Sequence, residues 1–432
     1  MKLHTKIIIG LGLGAALGTG ANALARDARA IAWIADNIAN PVGQIFLRLL
    51  LMTVVPLVFC SLTLGVAQLG DIRKVGRVGA RAVGYFLVST AISATIGIVL
   101  VNLAHPGTGL SPEVRDQLIA SYRSQVQGLQ AGGATSFGVD MLVNFVPRNP
   151  IQAAASMDMI GLIVFSLVFG AALTMLPEER ARPVVRVLDA VGEAILKIIG
   201  MAMKLAPYGV FGLIFVVTWH LGFDILKKLG AFVAVVLLGL LLHGLGSLSV
   251  MVRVFGGLRP LVFFSRIRAS IITAFSTSSS NATLPTNIQV AEQELKIPSK
   301  IAGFVLPLGS TMCMNGTALF EGVTVLFLAQ LFGVSLSLPT QIVVILMSVI
   351  TAVGAAGVPG GSLPLLMVVL ATVGLPPMAI GVVLGVDRIL DMCRTTVNVI
   401  GDLTATAYVA RTETDWDPEE VNRAGVKAPA TA

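Results

Sequence analysis

Residues 229–252 form an unbroken apolar run whose one ionisable side chain is His243. A helix crosses the hydrocarbon of a bilayer in about 20 apolar residues, so this run is long enough to span. The chain repeats the pattern: apolar stretches cover 6–25, 42–69, 78–104, 157–176 and 187–219 as well. Backbone groups find no water in hydrocarbon, and runs of this length satisfy them as helices. Only 12% of the 432 residues are charged, against roughly 25% in soluble domains. A soluble enzyme, a nucleic-acid binder and a disordered chain are therefore excluded. Cys60, Cys313 and Cys393 all lie in apolar stretches and imply neither a disulfide framework nor a CxxC metal motif. Met1–Leu24 reads as the first spanning helix rather than a cleaved leader, because no soluble domain follows it.

Basic residues sort the connections. Arg73, Lys74, Arg77 and Arg81 follow the second span, Arg180, Arg182 and Arg186 the fourth, and Arg253, Arg259, Arg266 and Arg268 the sixth. They alternate with less basic segments at 26–40, 105–156 and 220–228, and Lys227 and Lys228 run against the trend. The bias predicts cytoplasmic N- and C-termini and accounts for the net charge of +7. Residues 105–156, with HPGTG at 105–109 and a helical stretch near 112–130, read as an extracytoplasmic loop or surface helix. The chain from Arg411 reads as a disordered cytoplasmic tail.

Beyond residue 258 the spans degrade. Segment 258–292 is apolar but broken at 276–281 (SerThrSerSerSerAsn) and again at ThrLeuPro 283–285. Segment 337–374 is broken at 354–362 (GlyAlaAlaGlyValProGlyGlySer). Irregular backbone survives at membrane depth only inside protein or against a wet cavity. Two re-entrant helical hairpins, each followed by a long helix at 299–331 and 377–410, are predicted. Kinked ordinary helices are the alternative. Paired interruptions of this kind point to a transporter's binding site.

On the last helix Asp387, Asp391, Arg394, Thr395, Asn398 and Asp402 share one stripe about 100° wide at 100° per residue. A charge at the bilayer centre costs at least about 2.5–3.5 kcal/mol, so these groups must face protein. Arg394 neutralises one aspartate and Arg388 sits at the stripe's edge, which leaves the stripe short of positive charge. A bound cation completes it; an internal salt-bridge network is the alternative. Arg394 offers a planar fork for a carboxylate. Asp391, three residues earlier, reaches the same pocket and suits an ammonium. Asp402 could ligate a hard cation with backbone carbonyls. The run 309–318 (GlySerThrMetCysMetAsnGlyThrAla) suggests either local unwinding or a close helix contact.

Four segments then resemble a known family: SSSNATLPT (278–286), LPLGSTMCMNGTALFEG (306–322), GAAGVPGGS (354–362) and VDRILDMCRTTVNVIGDLTAT (386–406). FLRLLLMTVVPLVF (46–59) and TIGIVLVNLAHPG (95–107) fit as well. The chain resembles the glutamate transporter family, the dicarboxylate/amino acid:cation symporters, whose members include archaeal aspartate transporters and excitatory amino acid transporters. The resemblance implies an all-α polytopic protein with eight transmembrane helices, two re-entrant hairpins, inverted repeats and an elevator mechanism. It implies a homotrimer in the lipid of the cell (inner) membrane. Helices 1–2 (1–77) and 4–5 (157–228) would form the scaffold; helix 3 (78–104) and residues 229–410 would form the transport domain.

The resemblance also implies site roles. Arg394 would bind the substrate's side-chain carboxylate and Asp391 its ammonium. Ser279, Ser280, Thr317, Thr395, Asn398 and the Val358–Ser362 backbone, with Gly360 and Ser362, would complete the substrate site. Gly309, Cys313, Asn398 and Asp402 would hold one sodium ion, and Thr311, Ala352, Val353 and Ala355 a second. A third sodium site would fall at Ser89, Thr90, Asn315 and Asp387. There the family's Asn-Met-Asp-Gly-Thr reads Cys313-Met314-Asn315-Gly316-Thr317, so a carboxylate is missing. The third site is expected to be weak or absent, or its ion replaced by another ion or a proton. Ser278 stands where archaeal relatives carry an arginine.

The function expected is uptake of glutamate or aspartate driven by sodium, with a proton as a further coupled ion. C4-dicarboxylate or neutral amino acid symport are the alternatives within the family. An ion channel would not need Asp391 and Arg394 in one pocket. An intramembrane hydrolase lacks a base near Ser278–Ser280, since His4, His105, His220 and His243 lie elsewhere in the sequence.

Overall fold

The computed structural model describes residues 3–24, 29–69, 72–109, 146–156, 158–353, 355 and 357–424. Regular structure among them is helical throughout. The helix expected near 112–130 and most of the 105–156 connection lie outside the described residues, as do Gly354 and Ala356. Six helical stretches among them are long and apolar enough to cross a bilayer: Thr5–Leu24, Arg29–Ala67, Arg77–Ala104, Glu178–His220, Asp224–Val254 and Ser299–Leu331.

The first half contains α1 (Leu3–Leu24), α2 (Asn40–Leu51), α3 (Val54–Leu69), α4 (Ile72–Ala104), α5 (Met159–Met175), α6 (Glu178–Leu221) and α7 (Asp224–Leu241). Two connections read as loops are helical instead. A short helix Arg29–Ile34 and a π turn Ala35–Ala39 run directly into α2, because Ala35 and Ala39 are buried with Phe215 and Trp219 of α6. Helix α6 begins at Glu178, so Arg180, Arg182 and Arg186 ride on its first turns. Glu178 and Glu179 there oppose the positive end of the helix dipole. Helix α7 continues through a second π turn, Leu242–Ser247, and resumes over Leu248–Val254. His243 is wholly buried in that turn, with Nδ1 2.7 Å from Ser247 Oγ.

The second half contains α8 (Arg268–Thr277), α9 (Ser280–Gln293), α10 (Ser299–Met312), α11 (Asn315–Leu331), α12 (Leu338–Val353), α13 (Leu363–Thr372) and α14 (Leu384–Glu413). Helices α8 and α9 pack on each other through a two-residue turn. Ser278 takes φ 51°, in the left-handed region, and Ser279 caps α9 by accepting from Ala282 N at 3.1 Å. Helices α12 and α13 form the corresponding pair, with Gly360 at φ +75° in the turn. The anticipated break in 299–331 falls at Cys313 and Met314, whose ψ values of 77° and 51° leave the helix.

Helices α1 and α2 lie on α6, and α3 lies on α5 and α6. Helix α11 lies on α4, α7, α12 and α14, and α14 also meets α4, α8 and α10. Phe232 of α7 stacks on Phe327 of α11 with centroids 4.7 Å apart. Helix α14 is buried along nearly its whole length, which lets it carry Asp387, Arg388, Asp391, Arg394 and Asp402 away from lipid.

The segment after Arg411 is docked, not disordered, as far as residue 424. Trp416 is 9% exposed and donates Nε1–H to Leu295 O at 2.9 Å. Asn422, on the short helix Pro418–Ala424, accepts from Arg259 N at 2.9 Å and donates to Gly257 O. Residues 425–432 lie outside the described residues.

Candidate functional site

The polar stripe of α14 faces inward where the α8–α9 turn, the α10–α11 break and the α12–α13 turn meet. Gly316 opens α11 against α14: a Cβ there would come within 2.5 Å of Arg394 O. That approach lets Asn398 Oδ1 accept from Gly316 N at 2.7 Å. Asn398 Nδ2 lies 3.3 Å from Thr317 Oγ1 and 3.2 Å from Met314 Sδ. The break in the helix therefore exposes an amide that the last helix uses as an anchor.

Arg394 is 1% exposed. Its Nη2 donates to Asp387 Oδ1 at 2.8 Å and to Asp391 Oδ1 at 2.9 Å, and its Cζ lies 3.9 Å from the centre of the Phe320 ring. The Nε and Nη1 groups of Arg394 have no partner among the described residues. They are buried donors aimed at nothing, which is costly unless a ligand meets them. Asp391 is almost fully engaged. Its Oδ2 accepts from Gly360 N at 3.2 Å and from Arg388 Nη1 at 3.4 Å. Two arginines thus balance Asp387 and Asp391, so this cluster is not short of positive charge. The sequence placed Arg388 only at the stripe's edge.

The uncompensated aspartate is Asp402. It is 1% exposed, and neither carboxylate oxygen has a hydrogen-bond partner among the described residues. A Cβ on Gly309 would lie 2.7 Å from Asp402 Oδ1, so the α10 backbone runs directly past the carboxylate. Burying a carboxylate without a counter-charge is strongly unfavourable. Either a proton or a cation on Asp402 would remove that cost.

A small cavity of about 10 Å³ lies beside Asp391, room for about one water. Ser280, Thr317, Val358, Ser362, Asp391, Thr395 and Asn398 line it together with Ser278, Met314, Ala355 and Gly357, whereas Arg394 and Gly360 are not among its lining residues. Ser279 is instead a bridge: its Oγ donates to Gly357 O at 2.6 Å, and Asn281 N donates to the same carbonyl at 3.1 Å. The tips of the two helix pairs are thereby fastened together over the cavity. Thr311, Val353 and Ala355 line a separate cavity of about 170 Å³ that reaches Asp189 and Glu193 of α6, while Ala352 is wholly buried.

At the expected third cation site, Asn315 Oδ1 accepts from Ser89 Oγ at 3.1 Å and Thr90 Oγ1 at 2.8 Å, and Ser93 Oγ donates to Asn315 O. Asp387 is committed to Arg394 instead. The hydroxyls that would ligate an ion point their protons at a neutral amide.

The candidate set drawn from sequence omitted Glu321. It is wholly buried on α11, accepts from Thr351 Oγ1 at 2.7 Å through Oε2, and has no partner at Oε1 among the described residues. A carboxylate within the apolar run 315–331 is signal enough to have singled it out.

The family model described as the sodium:dicarboxylate symporter family matches residues 3–412. The chain is 35% identical over 386 residues to the proton/glutamate-aspartate symporter of Escherichia coli (strain K12), covering 89% of this chain and 87% of that protein. It is 34% identical to the proton/sodium-glutamate symport protein of Bacillus caldotenax, covering 88% and 89%. It is 32% identical to the C4-dicarboxylate transport protein of Bacillus subtilis (strain 168), covering 88% of each chain. With the match running through every helix that builds the cluster, the chain belongs to the sodium:dicarboxylate symporter family.

Proposed function

We propose that the chain is a secondary active symporter that takes up acidic amino acids, glutamate or aspartate, together with sodium. The observation that carries this reading is the buried Asp391–Arg394 pair with two unmet donor groups on Arg394. In this reading Arg394 Nε and Nη1 receive the side-chain carboxylate in a bidentate bond, and Asp391 receives the ammonium. Ser280 at the start of α9 and the Val358–Ser362 backbone hold the α-carboxylate, favoured by the helix dipole. Thr317, Thr395 and Asn398 complete the contacts.

A four-carbon substrate does not fit a cavity of about 10 Å³. Entry requires the α12–α13 tip to withdraw, breaking the Ser279–Gly357 and Gly360–Asp391 bonds. The tip is then the gate. The same reading makes both helix pairs re-entrant hairpins beside eight transmembrane helices. It makes α1, α2, α3, α5 and α6 the scaffold of a homotrimer in the cell (inner) membrane, past which the remaining helices move as an elevator. Both termini are cytoplasmic.

Two sodium ions are coupled, one at Asp402 with carbonyls of Gly309, Cys313 and Asn398, and one at Thr311 with carbonyls of Ala352, Val353 and Ala355. The Asn315 position holds none. Asn315→Asp is expected to add a cation site there and raise the number of sodium ions per substrate by one, read by reversal potentials in proteoliposomes. An unchanged number argues against this assignment. Glu321 carries a coupled proton, being a buried carboxylate without an ion pair among the described residues. Glu321→Gln is expected to abolish the acceleration of uptake by an inward proton gradient while leaving sodium-dependent binding in place; retained acceleration would exclude Glu321.

Calorimetric titration of the detergent-solubilised protein tests the reading as a whole. Aspartate should bind in sodium and not in choline; equal binding in both would overturn sodium coupling. The second reading, transport of C4-dicarboxylates, is favoured by one observation, the Arg388–Asp391 contact.

A further inference from the structure

We propose that Arg388 is a specificity determinant that stands in for the substrate's amine, so that the one pocket accepts both acidic amino acids and amine-free C4-dicarboxylates. The inference rests on the reading above, in which Asp391 receives an ammonium.

Asp391 is 7% exposed and sits beside the cavity. An amino acid brings its own positive charge to it. A dicarboxylate such as succinate brings none, and would leave Asp391 facing a second anion in a desolvated pocket. Removing one partner of a buried ion pair is strongly destabilising, so a pocket with Asp391 and no further cation would reject succinate. Arg394 does not supply that cation. Its Nη2 is shared between Asp387 and Asp391, and its remaining donors are those that the substrate carboxylate needs.

Arg388 does supply it. Its side chain is 11% exposed, one helical turn before Asp391, and its Nη1 reaches Asp391 Oδ2 at 3.4 Å. The Arg388 Nε is buried without a partner among the described residues, so the guanidinium is not anchored by other bonds through that group. Among the three donors to Asp391, at 2.9, 3.2 and 3.4 Å, the Arg388 contact is the longest and therefore the easiest to exchange. When an ammonium arrives, Arg388 yields its place on Oδ2. When a dicarboxylate arrives, Arg388 stays and Asp391 remains neutralised. Specificity of this kind is a difference between two affinities and turns on which buried charge is left unmatched.

The test is competition against sodium-driven aspartate uptake in proteoliposomes, with succinate as the competitor. Wild-type protein, Arg388→Met and Arg388→Lys are compared. Wild-type uptake should be inhibited by succinate. Arg388→Met should raise the succinate inhibition constant about tenfold or more relative to any change in aspartate KM, the loss of one charge-assisted contact. Arg388→Lys should recover part of the succinate affinity, which a purely structural role would not do, since lysine restores the charge and not the shape. Failure of wild-type protein to bind succinate, or an equal change of both constants in Arg388→Met, overturns the proposal. Failure of aspartate uptake by wild-type protein overturns instead the reading on which it rests.

Discussion

Arg394→Lys is expected to lower uptake of aspartate and glutamate by at least about 100-fold with the fold retained. Two charge-assisted hydrogen bonds to the substrate carboxylate are lost, each contributing about 1.5–3 kcal/mol. Lysine keeps a positive charge near Asp387 and Asp391, but a point charge on a flexible stem cannot reproduce the planar fork that leaves Nε and Nη1 free. It also loses the stacking of the guanidinium on Phe320. Arg394→Ala is the harsher variant. It leaves Asp387 and Asp391 buried without their shared donor, at a cost of about 3–5 kcal/mol, so lost uptake there would mix misfolding with lost binding. Thermal unfolding and size-exclusion profiles of the lysine variant separate the two. Aspartate uptake retained within about tenfold in a folded Arg394→Lys protein would remove Arg394 from the substrate site.

Asp402→Asn is expected to have the second largest effect, and it should act on sodium rather than on substrate. Wild-type Asp402 is a buried carboxyl group whose two oxygens have no hydrogen-bond partner among the described residues, and a bound sodium ion would supply the partner they lack. A ligand that binds only the folded state stabilises it by about 2.7 kcal/mol at a hundred times its dissociation constant. Sodium should therefore raise the thermal midpoint of the wild-type protein by several degrees. In Asp402→Asn the amide needs no counter-ion. The sodium-dependent rise should shrink to what the Thr311 site contributes, and the sodium concentration for half-maximal aspartate binding should increase by at least about 30-fold. Identical sodium curves for the two proteins would mean that no coupled ion sits on Asp402.

The sequence made the α14 stripe legible because one helix carries it, and 100° per residue suffices to put Asp387, Asp391, Arg394, Asn398 and Asp402 on one face. The two helix–turn–helix pairs were legible from Ser/Gly/Pro punctuation, and the turns fall at Ser278–Ser279 and around Gly360, inside the breaks. What escaped reading depends on partners distant in the chain. The helix over 29–39 continues because Phe215 and Trp219 cover Ala35 and Ala39. The 411–424 segment docks because Trp416 finds a carbonyl at Leu295 and Asn422 finds the 257–259 turn. Local composition carries neither contact. Arg388 was visible as a charge at the stripe's edge, but its role turns on a side chain bending toward Asp391. Charge counting alone therefore assigned the missing cation to the whole stripe, whereas the deficit is localised at Asp402.

In the proposed function the buried cluster on α14 couples an acidic amino acid to sodium. This coupling is tested most directly by aspartate accumulation in proteoliposomes holding the purified protein. An inward sodium gradient at equal pH should drive aspartate above its external concentration, and collapsing that gradient with a sodium ionophore should release it. Accumulation that proceeds without sodium, or equilibration with no accumulation under the gradient, would contradict the account.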